Sequence, residues 1–310
     1  MFARVFAIAM NTYREAVRAR LLLAMLALAL ATSGYSVILG TLSLHHEARV
    51  VADVGAASAS LYANLAAIVM GATSLHRELE LKTLFPMLAR PLRRYEYLLG
   101  KFMGTLATLA AFILIDVGLI LGLLAVEAGA NGTVVGGAGA LLLVVLGLAL
   151  WRVKRARVFV ALPWAVILVA VMAPLAAPSG AERQLVLVSA VLTVAEAAIV
   201  TAVATFFSAF SSPFLTAIFT LGVFIVGRSA DTLSRLPVRL FGAAIHNLGK
   251  TASAIVPNLQ VYVPPRALLL GDVPDQSLRS FVALASLHAI LYATGLLAAA
   301  AVLFHRRDLQ

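Results

Sequence analysis

Residues 77–101 read RELELKTLFPMLARPLRRYEYLLGK, with six basic and three acidic side chains in 25 positions. YANLAAIVMGA (62–72) precedes this block and LATLAAFILI (106–115) follows it, and both runs are apolar. A charged block set between two such runs is either an exposed loop of a soluble domain or a connection between two membrane helices. Composition decides between them. The chain of 310 residues is 62% hydrophobic and 12% charged, whereas soluble domains keep about a quarter of their residues charged. The useful unit of length is therefore the ~20 apolar residues that cross a bilayer as a helix.

Working outward from the block, hydropathy predicts an all-α integral membrane protein with about eight spans, forming one transmembrane domain over 1–310. The spans run over about 21–40, 55–72, 103–126, 132–151, 158–177, 185–207, 214–226 and 281–304. The pair at 132–177 also fits a re-entrant or interfacial hairpin, which would leave six spans. Residues 1–20 lack the long unbroken apolar core and small-residue cleavage site of a signal peptide. Phe2, Val5, Phe6, Ala9, Tyr13 and Val17 share one side of a helix, and Arg4, Asn11, Arg14 and Arg18 another. A basic amphipathic helix of this kind lies in the interface plane. It equally fits a plain lead-in to the first span.

The net charge is +10. In an eight-span arrangement, 16 of the 24 basic residues fall on the side that holds both termini, the block and RVKRAR (152–157). Basic loops stay cytosolic, so both termini are expected there. No aromatic-interleaved basic surface points to a nucleic-acid partner. With no cysteine in the chain, disulfides, thiolate metal sites and cysteine nucleophiles are excluded.

A basic topology loop accounts for the arginines of the block. It does not account for Glu78, Glu80 and Glu96, for Pro86 and Pro91, which limit helix length, or for the length of the segment. The residues Glu78, Glu80, Thr83, Leu84, Leu88, Pro91, Arg94, Glu96, Gly100 and Lys101 give this stretch its resemblance to permease subunits of ABC-2 type transporters, the type V exporter fold. In that family an acidic pair, a threonine, a hydrophobic helix, then Pro, Arg, an acidic residue and Gly-Lys join the second and third spans. NTYREAVRARLL (11–22) is similar to the family's connecting helix, and FFSAFSSPFLTAIFTLGVFIVGRS (206–229) to its turn between the fourth and fifth spans. The last span ends in HRRD (305–308), another point of similarity.

The resemblance implies that 74–101 is a cytosolic coupling segment. Glu78, Glu80, Thr83, Leu84, Leu88, Pro91, Arg94 and Glu96 would dock on a separate ATP-binding-cassette ATPase. It further implies a second permease subunit, identical or not, surrounding membrane lipid, a bacterial inner-membrane location and export as the direction. ATP and Mg²⁺ would belong to the partner, and this chain would hold no cofactor or metal and catalyse nothing. The pair at 132–177 departs from the family's usual six spans.

Other groups compete for attention. Gly249-Lys250-Thr251 lacks the earlier glycine of a phosphate loop, since Ala244 stands there, so no phosphate cradle is expected. His45, His46 and Glu47 read as a solvated loop, because adjacent residues seldom hold one metal ion alone. Asn131-Gly132-Thr133 matches a glycosylation sequon, a short and frequent pattern. Asp116 and Glu196 lie inside spans, where ionisable groups are costly and serve either a translocation path or a structural hydrogen bond. They carry the rival reading of a proton-driven secondary transporter, and His45, His46 and Glu47 that of a membrane-embedded enzyme. Finally, 227–278 is expected outside the cytosol. Phe241, Ile245, Leu248, Ala252 and Ile255 form an apolar stripe there opposite Arg239, His246, Lys250 and Ser253, a pattern suited to an amphipathic or re-entrant helix before the last span.

Overall fold

The structure, a computed structural model, describes residues 2–43, 46–80, 93–153, 157–269 and 277–306. Among them the ordered elements are helical, without a strand. In chain order the helices are α1 (Phe2–Val17), α2 (Arg20–Thr41), α3 (Glu47–Glu80), α4 (Arg94–Glu127), α5 (Gly132–Arg152), α6 (Ala161–Leu175), α7 (Ala181–Ser208), α8 (Pro213–Arg228), α9 (Ala230–Ser234), α10 (Val238–Ile255), α11 (Arg266–Leu269) and α12 (Leu278–Arg306). Short 3₁₀ turns cover Arg157–Val160, Ala177–Ser179 and Leu259–Tyr262.

Among the described residues, seven helical segments are long and apolar enough to cross a membrane, and α8, with 16 residues, is a shorter apolar helix. The chain is thus of the multi-pass membrane type. Its surface agrees, because Trp151 is 65% exposed and Ile290 62% exposed, among many large apolar side chains that face outward. A soluble monomer rarely tolerates so much apolar surface in contact with water, whereas hydrocarbon solvates it.

The centre of the bundle is α7, which packs against α3, α4, α8 and α12. α2 leans on α3, and α6 on α4. Without a hydrophobic driving force inside lipid, close packing rests on small side chains. Gly71 of α3 meets Ala204 of α7 so closely that a Cβ on the glycine would collide with the alanine methyl. The pair expected at 132–177 is a helical hairpin. Trp164 Nε1 of α6 donates to the Leu142 carbonyl of α5 at 2.9 Å, and α6 ties the pair to α4. Asn131 serves as N-cap of α5: its Oδ1 accepts from the Thr133 amide at 3.0 Å and from the Thr133 hydroxyl at 2.6 Å. That bond satisfies a helix-end donor, and the sequon pattern has this local structural use.

α1 lies along the first turns of α4. A Cβ on Gly100 would stand 2.7 Å from Ile8 Cβ, and one on Gly104 would run into the Ala9 carbonyl. The expected amphipathic helix of the 227–278 segment is α10, broken at Gly242, whose φ of +79° suits glycine. His246 Nδ1 donates to the Leu236 carbonyl at 2.8 Å and Gly249 backs onto Leu233, while Ile245, Leu248 and Ile255 stay exposed. α10 therefore packs through Gly249 on α9 and through His246 on the turn after it, and Ile245, Leu248 and Ile255 of the apolar stripe face outward.

If α1 is seated by these glycines, Gly104→Leu should free it from α4. The expected result is faster proteolytic cleavage near residues 11–20 in detergent, with the remaining helices still protected. Unchanged cleavage would show that α1 is held by other contacts.

Candidate functional site

The two ends of the bundle are distinguished by what gathers there. At the block end, Tyr97 and Leu98 of α4 cluster with Ala209, just after α7, and with Ala300 and Phe304 of α12. The starts of α3 and α7 and the end of α8 consequently lie toward the opposite end, and there the charged side chains converge.

Glu196 of α7 is fully buried. Its countercharge is Arg228, the last residue of α8. Arg228 Nε donates to Glu196 Oε1 at 2.6 Å and Nη2 donates to Oε2 at 2.8 Å, a bidentate pair. Two polar residues one turn apart on α3 complete the shell. Ser60 Oγ and Asn64 Nδ2 both donate to Glu196 Oε2, at 3.0 and 2.9 Å, and Arg228 Nη2 also donates to Ser60 Oγ. Three helices thus share one ion pair.

A cavity of about 260 Å³ opens beside this pair, lined by Ser60, Ser189, Thr193, Arg228, Tyr262 and Arg266 among others. A second cation stands at its edge. Arg266, at the start of α11, donates through Nη1 to Glu182 Oε1 at 3.1 Å and through Nη2 to Asp53 Oδ1 at 2.5 Å. Burial opposes the charge of Arg266, but the hydrogen bonds and charges of Glu182 and Asp53 outweigh it and raise its pKa. Tyr262 shares a 2.8 Å hydrogen bond with His288 Nδ1. Burial, and secondarily the charge of Glu196, push the Tyr262 hydroxyl above its ordinary pKa, so it stays a neutral hydrogen-bonding group. The cavity has mixed walls: Ala56, Ala57, Leu185, Val263 and Pro264 give apolar surface, several hydroxyls interrupt it, and two arginines neutralised by carboxylates frame it.

Asp116 occupies a different place. It is fully buried on α4, and Ser33 of α2 donates to its Oδ1 at 2.9 Å. Ser58 of α3 lies 3.4 Å from the Ser33 hydroxyl, and Asp116 Oδ2 has no hydrogen-bond partner among the described residues. The two intramembrane carboxylates named from the sequence do not meet: one has a full cationic partner and the other a single hydroxyl.

Of the docking residues, Glu78 and Glu80 fall in the last turn of α3, and Arg94 opens α4. Thr83, Leu84, Leu88 and Pro91 lie outside the described residues. Glu96 is 3% exposed and turned toward its own chain. Its carboxylate accepts from the Arg93 amide at 3.3 Å and stands 3.9 Å from Arg4 of α1. Lys101 is buried, with its ammonium 5.4 Å from the Tyr97 ring centre. His46 is exposed and Glu47 opens α3, while His45 lies outside the described residues. Among the described residues no three His, Asp or Glu side chains gather as a metal site. Gly249-Lys250-Thr251 lies inside α10.

Sequence reading missed Arg228, Ser60 and Asn64 as partners of Glu196, and the trio Arg266, Asp53 and Glu182. An arginine closing an apolar helix (FLTAIFTLGVFIVGR, 214–228) and a Ser–Asn pair one turn apart in an apolar run were the available signals. Comparison with protein-family models finds no match, and comparison with curated proteins finds none either.

Removing one member of a buried ion pair typically costs about 3–5 kcal/mol, because the other charge is left uncompensated. Arg228→Met should lower stability in detergent by that order. The double variant Glu196→Met with Arg228→Met should recover most of it, since an apolar pair replaces the ion pair without an orphan. Equal losses from the single and double variants in a thermal melt would refute the pairing.

Proposed function

We propose that this chain is the permease subunit of an ABC-2 type transporter, working as an exporter. In this reading a cytosolic ATPase subunit grips the 77–101 segment, and a second permease subunit, the same or different, closes the path. ATP and Mg²⁺ act in the partner, and the chain itself performs no covalent chemistry.

The observation that carries the proposal is the length of the two helices flanking the block. α3 and α4 have 34 residues each. At 1.5 Å per residue each is about 51 Å long, against a hydrocarbon core of about 30 Å. Both therefore continue beyond the bilayer as rigid rods, and the segment with its glutamates and prolines joins their tips. Force applied there reaches the membrane as rigid-body movement. The Glu96 contacts and the α1–α4 packing stiffen the same end.

The orientation of this reading is eight crossings with both termini in the cytosol of a bacterial inner membrane. α8 supports that count, because it starts soon after Ala209 at the block end and finishes at Arg228 beside the opposite cavity. The cavity would then face the extracytoplasmic side, beneath α9–α11, where an exported molecule leaves. Hydroxyls and paired arginines suit a polar or amphiphilic cargo more than a bare hydrocarbon.

A second reading keeps one observation of its own. Asp116, with a single hydroxyl partner and no countercharge, is the kind of group a proton-coupled secondary transporter uses. Under that mechanism transport would stop with Asp116→Asn and would need no ATPase.

The test is affinity purification of the chain from its native membranes, with ATP hydrolysis assayed in the eluate. An ATP-hydrolysing subunit should accompany the native chain and be lost with Glu78→Arg plus Glu80→Arg. It should stay with Asp116→Asn. A fully active ATPase complex after deletion of residues 77–91 would overturn the proposal.

A further inference from the structure

Away from the cavity beside Arg228, α1 roofs a larger space. A groove of about 700 Å³ lies between α1, the first half of α4 and the start of α6. α1 lines it with Phe2, Val5, Phe6, Ala9, Met10 and Tyr13, the positions of a single helical face, and Ala107 and Leu162 line the other walls. Those walls are apolar. A water-soluble solute gains nothing there, whereas hydrocarbon matches the walls.

Three features identify what brings that hydrocarbon. The first is access: Phe2 is 87% exposed and Phe6 65% exposed at the groove's lip, so the space communicates with the lipid that surrounds this end of the bundle. The second is charge. Arg14 is exposed and sits one turn from Met10 at the groove's edge. Arg157, also exposed, precedes by two residues Phe159, whose ring stacks on Tyr13 with centres 5.9 Å apart. The sequence around them carries Arg4, Arg18 and Arg20 on one side and Arg152, Lys154 and Arg155 on the other, with Glu15 as the acidic residue of 1–20 and none in 152–157. The third is Tyr13 itself. It is 4% exposed in the groove wall, and its hydroxyl, close to the Leu162 backbone, closes no hydrogen bond of ordinary geometry among the described residues. A buried donor left in this state is available to a ligand.

We propose that the groove is a binding site for one anionic phospholipid, with an acyl chain under α1 and the phosphate head between Arg14 and Arg157. Basic side chains beside an intramembrane cleft recognise anionic head groups this way, each contributing about 1 kcal/mol near the surface. The lipid then serves as part of the α1 joint, filling the space that α1 leaves against α4 and α6. The site is independent of the transport reading, because it requires only that the chain sit in a bilayer.

Delipidated full-length protein in mild detergent, titrated with palmitoyl-oleoyl phosphatidylglycerol or with the matching phosphatidylcholine, tests it by native mass spectrometry. One phosphatidylglycerol should bind with clear preference over phosphatidylcholine. Arg14→Gln with Arg157→Gln, both surface changes, should weaken that binding by roughly tenfold or more. Ala107→Phe, which fills the groove, should abolish it while the unliganded melting temperature stays within a few degrees. Equal binding of the two lipids, or undiminished phosphatidylglycerol binding in both variants, would overturn the assignment. A lipid-free dimer that Ala107→Phe converts to monomer would also overturn it, by giving the groove to a second copy.

Discussion

The carboxylate of Glu196 is the constraint on which the bundle's interior depends. A charge buried among apolar helices is tolerated only with a countercharge and a full set of hydrogen bonds. Arg228 supplies the first, and Ser60 with Asn64 supplies most of the second. Because these residues belong to α8, α3 and α7, the ion pair sets the axial register of all three helices. Dispersion contacts between alanines, glycines and valines do not discriminate strongly between neighbouring registers. A bidentate arginine does, since a slide of one turn would break every bond. The same pair ends α8 at the cavity, although its 16 residues, about 24 Å of helix, are short for a span.

The other end is organised by proximity rather than charge. Gly100 and Gly104 let α1 lie directly on α4, and Glu96 holds both the α4 amide end and Arg4. α1 and α4 therefore form a stiff unit beside the charged block. Glu96 is more useful to the chain inward than outward: a buried carboxylate at a helix start satisfies an orphan amide and favours the helix dipole.

The division between what was legible in the sequence and what was not follows sequence distance. Spans were legible because a run such as LATLAAFILI (106–115) carries its own signal, and so was the amphipathic α1. The partner of Glu196 was not, because Arg228 is 32 residues away and Ser60 is 136 residues away. The link between Arg266 and Asp53 spans 213 residues. Such pairings depend on which helices are neighbours, and hydropathy does not encode that. α10 shows a subtler limit. Its periodicity was readable, but its packing partners were not: Gly249 backs onto Leu233 of α9, and His246 bonds the Leu236 carbonyl just beyond it. Periodicity identifies two faces without naming the residues that pack on either.

The arrangement of charges has a mechanical consequence. α3 carries Ser60 and Asp53 in the cavity wall, Asn64 one turn further along against Glu196, and Glu78 and Glu80 at its far end. It is one uninterrupted helix, so the block and the cavity are opposite ends of a single lever. α7 is packed closely against it through Gly71 and Ala204, and at the block end Phe206 and Ala209 meet Tyr97 and Leu98 of α4. Any pull on Glu78 and Glu80 that shifts α3 against α7 would load the bonds crossing between them: Ser60 and Asn64 to Glu196, and the bridge that Arg266 makes from Asp53 to Glu182. Arg228, held mainly by Glu196, would travel with α7. In the proposed transporter these bonds form the closed state's latch, and the bidentate pair is the part that stays intact while the latch opens.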